Sequence, residues 1–390
     1  MTTLTEEQRG ILATIREWVN KDVIPIAQEM DVAGEYPHEL VEKMKEFGLF
    51  GATIPQEYGG LGLDFKTYAM IIEEICRGWM SPSGIINSHL IVAYMINARG
   101  TPEQKEKWLP KMATGEWRLA MSITEPDAGS DVANIQTRAV KQGEHYVLNG
   151  QKTWCTNSYY GTHIMVFAKT DPTAGHKGIS GFFCPKGEGL NIMRKLPKLG
   201  YRGVDTAEFS LDDYKVPAEN LVGLEEGQGF YMVMDGLEVG RVNVAARAVG
   251  VARAAFEAAH RYAQKRHTMG KPIAQHQAIQ AMLADMATNI QAAHLLVVNA
   301  AEKKDSGKRC DLEAGMAKLF ASEICEKASL DAMRVHGSYG YSQELPVERY
   351  YRDAPLMIIG EGTSEIQRIV IARALIKEHP EGDFIYQQMQ

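Results

Sequence analysis

The chain has 390 residues, 45% of them apolar, enough to bury one large core or two to three smaller ones. Its formal net charge is −7 and no long Lys/Arg block occurs, which argues against a nucleic-acid surface. The five cysteines are widely spaced, odd in number and form no CxxC pair, so neither a disulfide framework nor a zinc site is expected.

The N-terminal stretch "MTTLTEEQRGILATIREWV" is acidic early and amphipathic, without the basic region and unbroken apolar core of a signal peptide. The longest apolar runs, "LMII" and "IVIA", are too short to span a bilayer. A soluble, cytoplasmic protein is expected.

Three zones follow one another. Residues 1–118 read as helical: Thr5 and Gln8 have capping-box spacing, and Ile11, Leu12, Ile15, Trp18 and Val19 recur at helical intervals. "YGGLGLD" is a loop, and "PEQKEKWLPKM" a short helix with Pro110 near its end. Residues 119–229 change to short β-rich runs, "HYVLNGQKTWCTN", "HIMVFAKT", "GISGFFCP" and "TAEFSLDDYKVP", which predict a small antiparallel barrel or sandwich. Residues 230–390 return to long helices. Ile279, Met282, Leu283, Met286, Ile290, Leu296 and Val297 form one apolar stripe, and Asp311 is placed to cap the next helix. The expected class is α+β, with an N-terminal helical domain, a middle antiparallel β-barrel domain and a C-terminal four-helix bundle.

Four segments carry possible chemistry. "MSITEPDAGSDV" runs from a strand into a Pro/Gly turn whose hydroxyls and free N–H groups can hold a phosphate or a ring edge. In "QKTWCTN", Trp154 and Thr156 share one strand face, as suits the flank of a planar cofactor or an ordinary core. "KRHTMGKPIAQHQAI" ends one helix in cations and starts another; Arg266 and Thr268 can grip a pyrophosphate or merely complement a helix dipole. "GEGT" precedes a helix, with Glu361 between two glycines behind "LMII". No GxGxxG follows a predicted strand, so a Rossmann domain is not supported.

"ITEPDAGSD", "NGQKTWCTN", "RHTMGKPIAQHQAI", "ERYYRDA" and "GEGTSEIQRIVIAR", in this order and spacing, make the chain resemble the acyl-CoA dehydrogenase family over its whole length. The resemblance implies FAD, an acyl-CoA substrate, a homotetramer and electron-transfer flavoprotein as acceptor. It matches Glu361 to the family's base, and Met121, Ile123, Thr124, Trp154 and Thr156 to positions lining the flavin ring. Gly129 and Ser130 match the turn facing cofactor and substrate. Arg266, Thr268 and Gln277 match a segment reaching the FAD of a neighbouring subunit. Arg334 and Gly337 match cofactor contacts, although "RVHGS" departs there from the family's frequent "QxxGG". Thr363 and Glu365 match further FAD contacts. Glu238, Arg241, Gly362 and Arg373 fall on the substrate side.

The chemistry suits such a glutamate. Desaturating a thioester removes an α-proton and a β-hydride, and a base in a dry pocket has its pKa raised toward neutrality. A decarboxylating glutaryl-CoA-type enzyme, an oxidase on the same fold, and a helical scaffold without catalysis remain as alternatives. Residues 78–98 contain no Lys, Arg, Asp or Glu. Glutaryl-CoA-type members place an arginine there, so an uncharged, short or branched acyl tail is expected.

Overall fold

The computed structural model describes residues 4–384. The first and last few residues of the expected outer domains lie outside that range. Helix α1 (Glu6–Trp18) passes through a π-turn at Val19–Val23 into α2 (Ile24–Ala33), and α3 (His38–Glu46), α4 (Phe65–Gly78), α5 (Met80–Arg99) and α6 (Pro102–Ala113) follow. The expected capping box is present: Gln8 N donates to Thr5 Oγ1 at 3.1 Å and Thr5 N to Gln8 Oε1 at 2.9 Å.

Strands β1 (Leu119–Ser122), β2 (Arg138–Gln142), β3 (His145–Thr156), β4 (His163–Lys169), β5 (Ile179–Pro185), β6 (Leu190–Lys195) and β7 (Thr206–Pro217) form one sheet. Its order is β1-β4-β2-β3-β7-β6, with β5 also on β4. The sheet is not wholly antiparallel: β1 and β2 each run parallel to β4. It curls around its own small core, which includes Leu148, Phe182 and Phe209.

The C-terminal part comprises α7 (Gly229–Lys265), the short pair β8 (His267–Thr268) and β9 (Lys271–Pro272), and α8 (Gln277–Asp305), α9 (Asp311–His336), α10 (Val347–Ile359) and α11 (Ser364–Glu378). Asp311 does not cap α9. Cys310 holds that position, and Asp311, one residue inside, accepts from Arg241 and Arg309 instead. Helix α8 is long and apolar enough, by length and composition, to cross a membrane. Here one face packs along α7 and α9, and 28% of that apolar window is buried. The large core joins α4, α5, α7 and α9 through residues such as Ile86, Val249 and Ala314.

One buried ion pair ties the β1–β2 connection to the sheet. Lys152 is fully buried on β3, and its Nζ donates to Glu125 Oε1 at 2.7 Å and to the carbonyl of Ile123 at 3.0 Å. Glu125 also accepts from the N–H of Thr137 at 3.0 Å and from its hydroxyl. These charge-assisted bonds hold the Glu125 carboxyl below the usual range against the opposing effect of burial. Removing one member of such a pair leaves the other charged and buried. Lys152→Met is therefore expected to cost about 3–5 kcal/mol. Urea unfolding of Lys152→Met and of the double variant Glu125→Gln/Lys152→Met checks this, the double variant recovering part of the loss.

Candidate active site

Glu361 sits in the turn between α10 and α11 with a left-handed backbone, φ 54°. That conformation is uncommon outside glycine and asparagine, and it is held here by neighbours. Buried Lys318 on α9 reaches the turn and donates to the carbonyls of Ile358 at 3.0 Å and Gly362 at 2.7 Å. Gln367 Nε2 donates to the carbonyls of Glu361 and Gly362. Burial lowers the Lys318 pKa to about 8, against the pull of Glu361. The N–H of Glu361 makes no hydrogen bond among the described residues.

The Glu361 carboxyl points between α5 and α7. Asn87 Nδ2 on α5 donates to Oε1 at 2.8 Å. Oε2 is sealed from solvent and meets no donor. Across from it lies Gly240 of α7, where an added Cβ would stand 1.6 Å from Oε2. Burial pushes the Glu361 carboxyl up, against the electrostatic pull of Arg247 and the Asn87 hydrogen bond. A carboxyl that is dry, half-satisfied and raised in pKa is arranged to take a proton from a carbon acid placed beside it.

The positions that the resemblance matches to a flavin ring come together where the end of β1 meets the second half of β3: Thr153 N donates to the carbonyl of Thr124 at 3.0 Å and Cys155 Sγ to that of Met121 at 3.4 Å. Met121 lies on β1, and Ile123 and Thr124 follow it, all partly exposed. Trp154 is 59% exposed while its neighbours Thr153 and Cys155 are buried. The alternation continues to the half-buried Thr156, as the sequence spacing implies. A bulge in the β3–β7 pairing falls here, and Trp154 has φ 55°, which the residue pattern does not reveal. Gly129 and Ser130 are exposed on the turn after β1. An exposed indole beside hydroxyls and a polar turn fits a planar ring system carrying a polar tail.

A second group meets at the far end of α7. Arg266, Thr268, Arg334 and Gly337 line one groove of about 490 Å³, together with Tyr262 and Tyr339. Gln277 begins α8 nearby, exposed and outside that lining. Thr363 caps α11, its Oγ1 accepting from Ile366 N, and Glu365 lies exposed in the first turn. Glu238 and Arg241 are buried but do not pair with each other: Glu238 accepts from Lys304 at 2.6 Å and from the N–H of Cys310, while Arg241 donates to Asp311 at 3.1 Å. Arg373 is exposed on α11. Asn87 and Lys318 escaped the motif reading. Lys318 leaves one signal, a lone cation in the apolar run "MAKLF", whereas Asn87 stands beside Ser88 and His89 and is not set apart by its neighbours.

The acyl-CoA dehydrogenase N-terminal, middle and C-terminal domain families match residues 5–116, 120–214 and 227–376. This chain belongs to the acyl-CoA dehydrogenase family. It is 42% identical over 381 residues to the 3-(aryl)acrylate reductase of Clostridium sporogenes, covering 96% of this chain and 99% of that one. It is 40% identical over 383 residues to the caffeyl-CoA reductase-Etf complex subunit CarC of Acetobacterium woodii, again over 96% and 99%. The structure of butyryl-CoA dehydrogenase from Megasphaera elsdenii superposes with a TM-score of 0.93 at 37% identity, over 96% of this chain and 100% of that one. Members of this oxidoreductase family depend on FAD.

The Gly240–Glu361 contact makes its own prediction. Gly240→Ala must displace the carboxyl or push the helix, so it is expected to destabilise the protein by about 1–3 kcal/mol. In Gly240→Ala/Glu361→Ala the clash is gone. The two substitutions should therefore depart from additivity by at least about 0.5 kcal/mol in a denaturation cycle.

Proposed function

We propose that the chain desaturates an acyl-CoA thioester between Cα and Cβ, with Glu361 as the base that takes the α-proton. The carrying observation is the Glu361 carboxyl itself, dry, unpartnered at Oε2 and opposite a residue without a side chain. The free N–H of Glu361 supports a second role, donating to the thioester oxygen as negative charge develops there. FAD, when bound, supplies the hydride acceptor for the β-carbon.

Met121, Ile123, Thr124, Trp154 and Thr156 would line the flavin ring, and Gly129 and Ser130 the turn between cofactor and substrate. Thr363 and Glu365 add contacts at the start of α11, and Gly362, Glu238, Arg241 and Arg373 serve the substrate side. The groove of Arg266, Thr268, Arg334 and Gly337, with Gln277 beside it, would hold the FAD of a neighbouring subunit in a homotetramer. Met269, 90% exposed, and Tyr341, 86% exposed, support a covered surface here, because large apolar side chains at that exposure favour a partner. Electron-transfer flavoprotein is the acceptor this reading favours, given the Etf complex named for the Acetobacterium relative. The enzyme is read as soluble and cytoplasmic, with domains at 1–118, 119–229 and 230–390. Run in reverse, the same carboxyl protonates the α-carbon, which suits the reductase names of two relatives.

Glu361→Gln is expected to retain FAD yet slow flavin bleaching by acyl-CoA by about three powers of ten or more, since the proton acceptor is lost. Stopped-flow absorbance measures it, and near-normal bleaching would remove Glu361 from the mechanism. The base acts as a carboxylate with a raised pKa, so bleaching by the unaltered enzyme should fall as pH drops through a value above the ordinary 4.5. Arg266→Ala should lower FAD retention and subunit association together, by linkage. Light scattering and flavin content report both, and an FAD-loaded monomer would contradict the shared site.

A further inference from the structure

Helix α7 lays four residues along one face, Gly236, Gly240, Asn243 and Arg247, at alternating four- and three-residue spacing. Helix α5 runs against that face in the opposite direction. A Cβ at Gly236 would meet Met95 and Ile91, and one at Gly240 would meet Ile91 and Glu361. Farther along α5, Gly84 gives space to Tyr201, whose ring lies 5.0 Å from the Arg247 guanidinium carbon. The side chains along this contact, starting from the Glu361 carboxyl, thus change from apolar, at Ile91 and Met95, to polar, at Asn243, Tyr201 and Arg247.

Arg247 is 4% exposed, and among the described residues it makes no hydrogen bond and has no carboxylate oxygen within 4.0 Å. The other buried arginines are all engaged: Arg77 with Glu74, Arg241 with Asp311, and Arg349 with the carbonyl of Gly78. Two neighbours are also short of partners. Asn243 donates to Tyr68 Oη at 2.9 Å, but its Oδ1 is buried without a donor. The Tyr201 hydroxyl forms no hydrogen bond among the described residues. The Tyr201 ring and the more distant charge of Glu361 compensate Arg247 only in part. A buried cation with no anion in direct contact is costly, so a site of this kind is suited to receive one.

We propose that Arg247 closes the far end of the acyl pocket as the receptor for a carboxylate, making the substrate a short dicarboxylic monothioester of CoA. This rests on the dehydrogenase reading above. The uncharged-tail expectation considered only α5. Residues 78–98 hold no Lys, Arg, Asp or Glu, Arg99 at the end of α5 pairs with Asp235, and Arg77 just before α5 is held by Glu74 and Asn20, but the cation arrives from α7. Gly240 and Arg247 are separated by about 10.5 Å along the helix axis, and the side chain leans back toward the N-terminus. That geometry suits about two to four methylene groups between thioester and carboxylate.

The test compares kcat/KM for succinyl-, glutaryl- and adipyl-CoA with butyryl-, valeryl- and hexanoyl-CoA on the flavin-loaded enzyme. At least one dicarboxylic substrate should exceed its partner of equal carbon number by about a hundredfold. Arg247→Gln should lower that ratio by about a hundredfold or more, mainly through the dicarboxylic substrate, with Arg247→Lys intermediate. An arginine that only tuned Glu361 would change both substrates of a pair alike. If the monocarboxylic substrates lead throughout, the carboxylate receptor is refuted while the dehydrogenase stands, and this comparison needs no variant to fold. If no acyl-CoA of either series bleaches the flavin, the dehydrogenase reading itself fails.

Discussion

Seating one carboxylate between two packed helices constrains much of this molecule. Glu361 reaches the α5–α7 interface only because Gly240 carries no Cβ and because the turn before α11 bends through a left-handed residue. That turn is retained because Lys318 donates to the carbonyls of Ile358 and Gly362, and Gln367, from inside α11, donates to that of Glu361 and again to that of Gly362. A non-glycine residue in this region is strained by about 1–3 kcal/mol. The cost is met by elements distant in sequence, α9 and α11, so the position of the carboxyl is a property of the folded bundle.

The sheet solves a comparable problem with opposite means. The turn after β1 must present hydroxyls and backbone groups outward, which leaves little apolar surface to hold it. Glu125 turns inward and takes hydrogen bonds from Thr137 and Lys152, converting an exposed loop into an extension of β2 and β3. The acid of the "ITEPDAGSD" segment is thus structural, while Gly129 and Ser130 of the same segment stay exposed.

The succession of helical, β and helical zones was legible because each has its own hydrophobic period, and the strand runs were bounded by turn residues. The cap at Thr5 was equally local. Features that depend on contacts across the chain were not legible. The parallel pairing of β1 and β2 with β4 leaves no mark on alternation, and the bulge at Trp154 is visible only beside β7. Asp311 has the chemistry of a cap, but its carboxylate is drawn to Arg241 and Arg309 while Cys310 occupies the capping position. The site motifs pointed to Glu361, but Asn87, Lys318 and Arg247 belong to no motif and acquire significance only where helices meet.

The charges around Glu361 give those helices a shared electrostatic task. Burial disfavours the ionised carboxylate, while Arg247, Arg241 and Lys318 favour it, and burial prevails. The basicity of Glu361 is thus a difference between opposing effects, sensitive to any change in the field of its neighbours. Arg241 is paired with Asp311 and Lys318 is held by two carbonyls, whereas Arg247 has no hydrogen-bond acceptor among the described residues. A carboxylate placed on its guanidinium would offset its pull on Glu361 and let the carboxyl rise further, toward the pKa of an effective general base. Because Gly240 and Arg247 are two turns apart on α7, a single helix both makes room for the base and adjusts its proton affinity. Occupation of the far end of the pocket would then be felt at the carbon where the proton leaves.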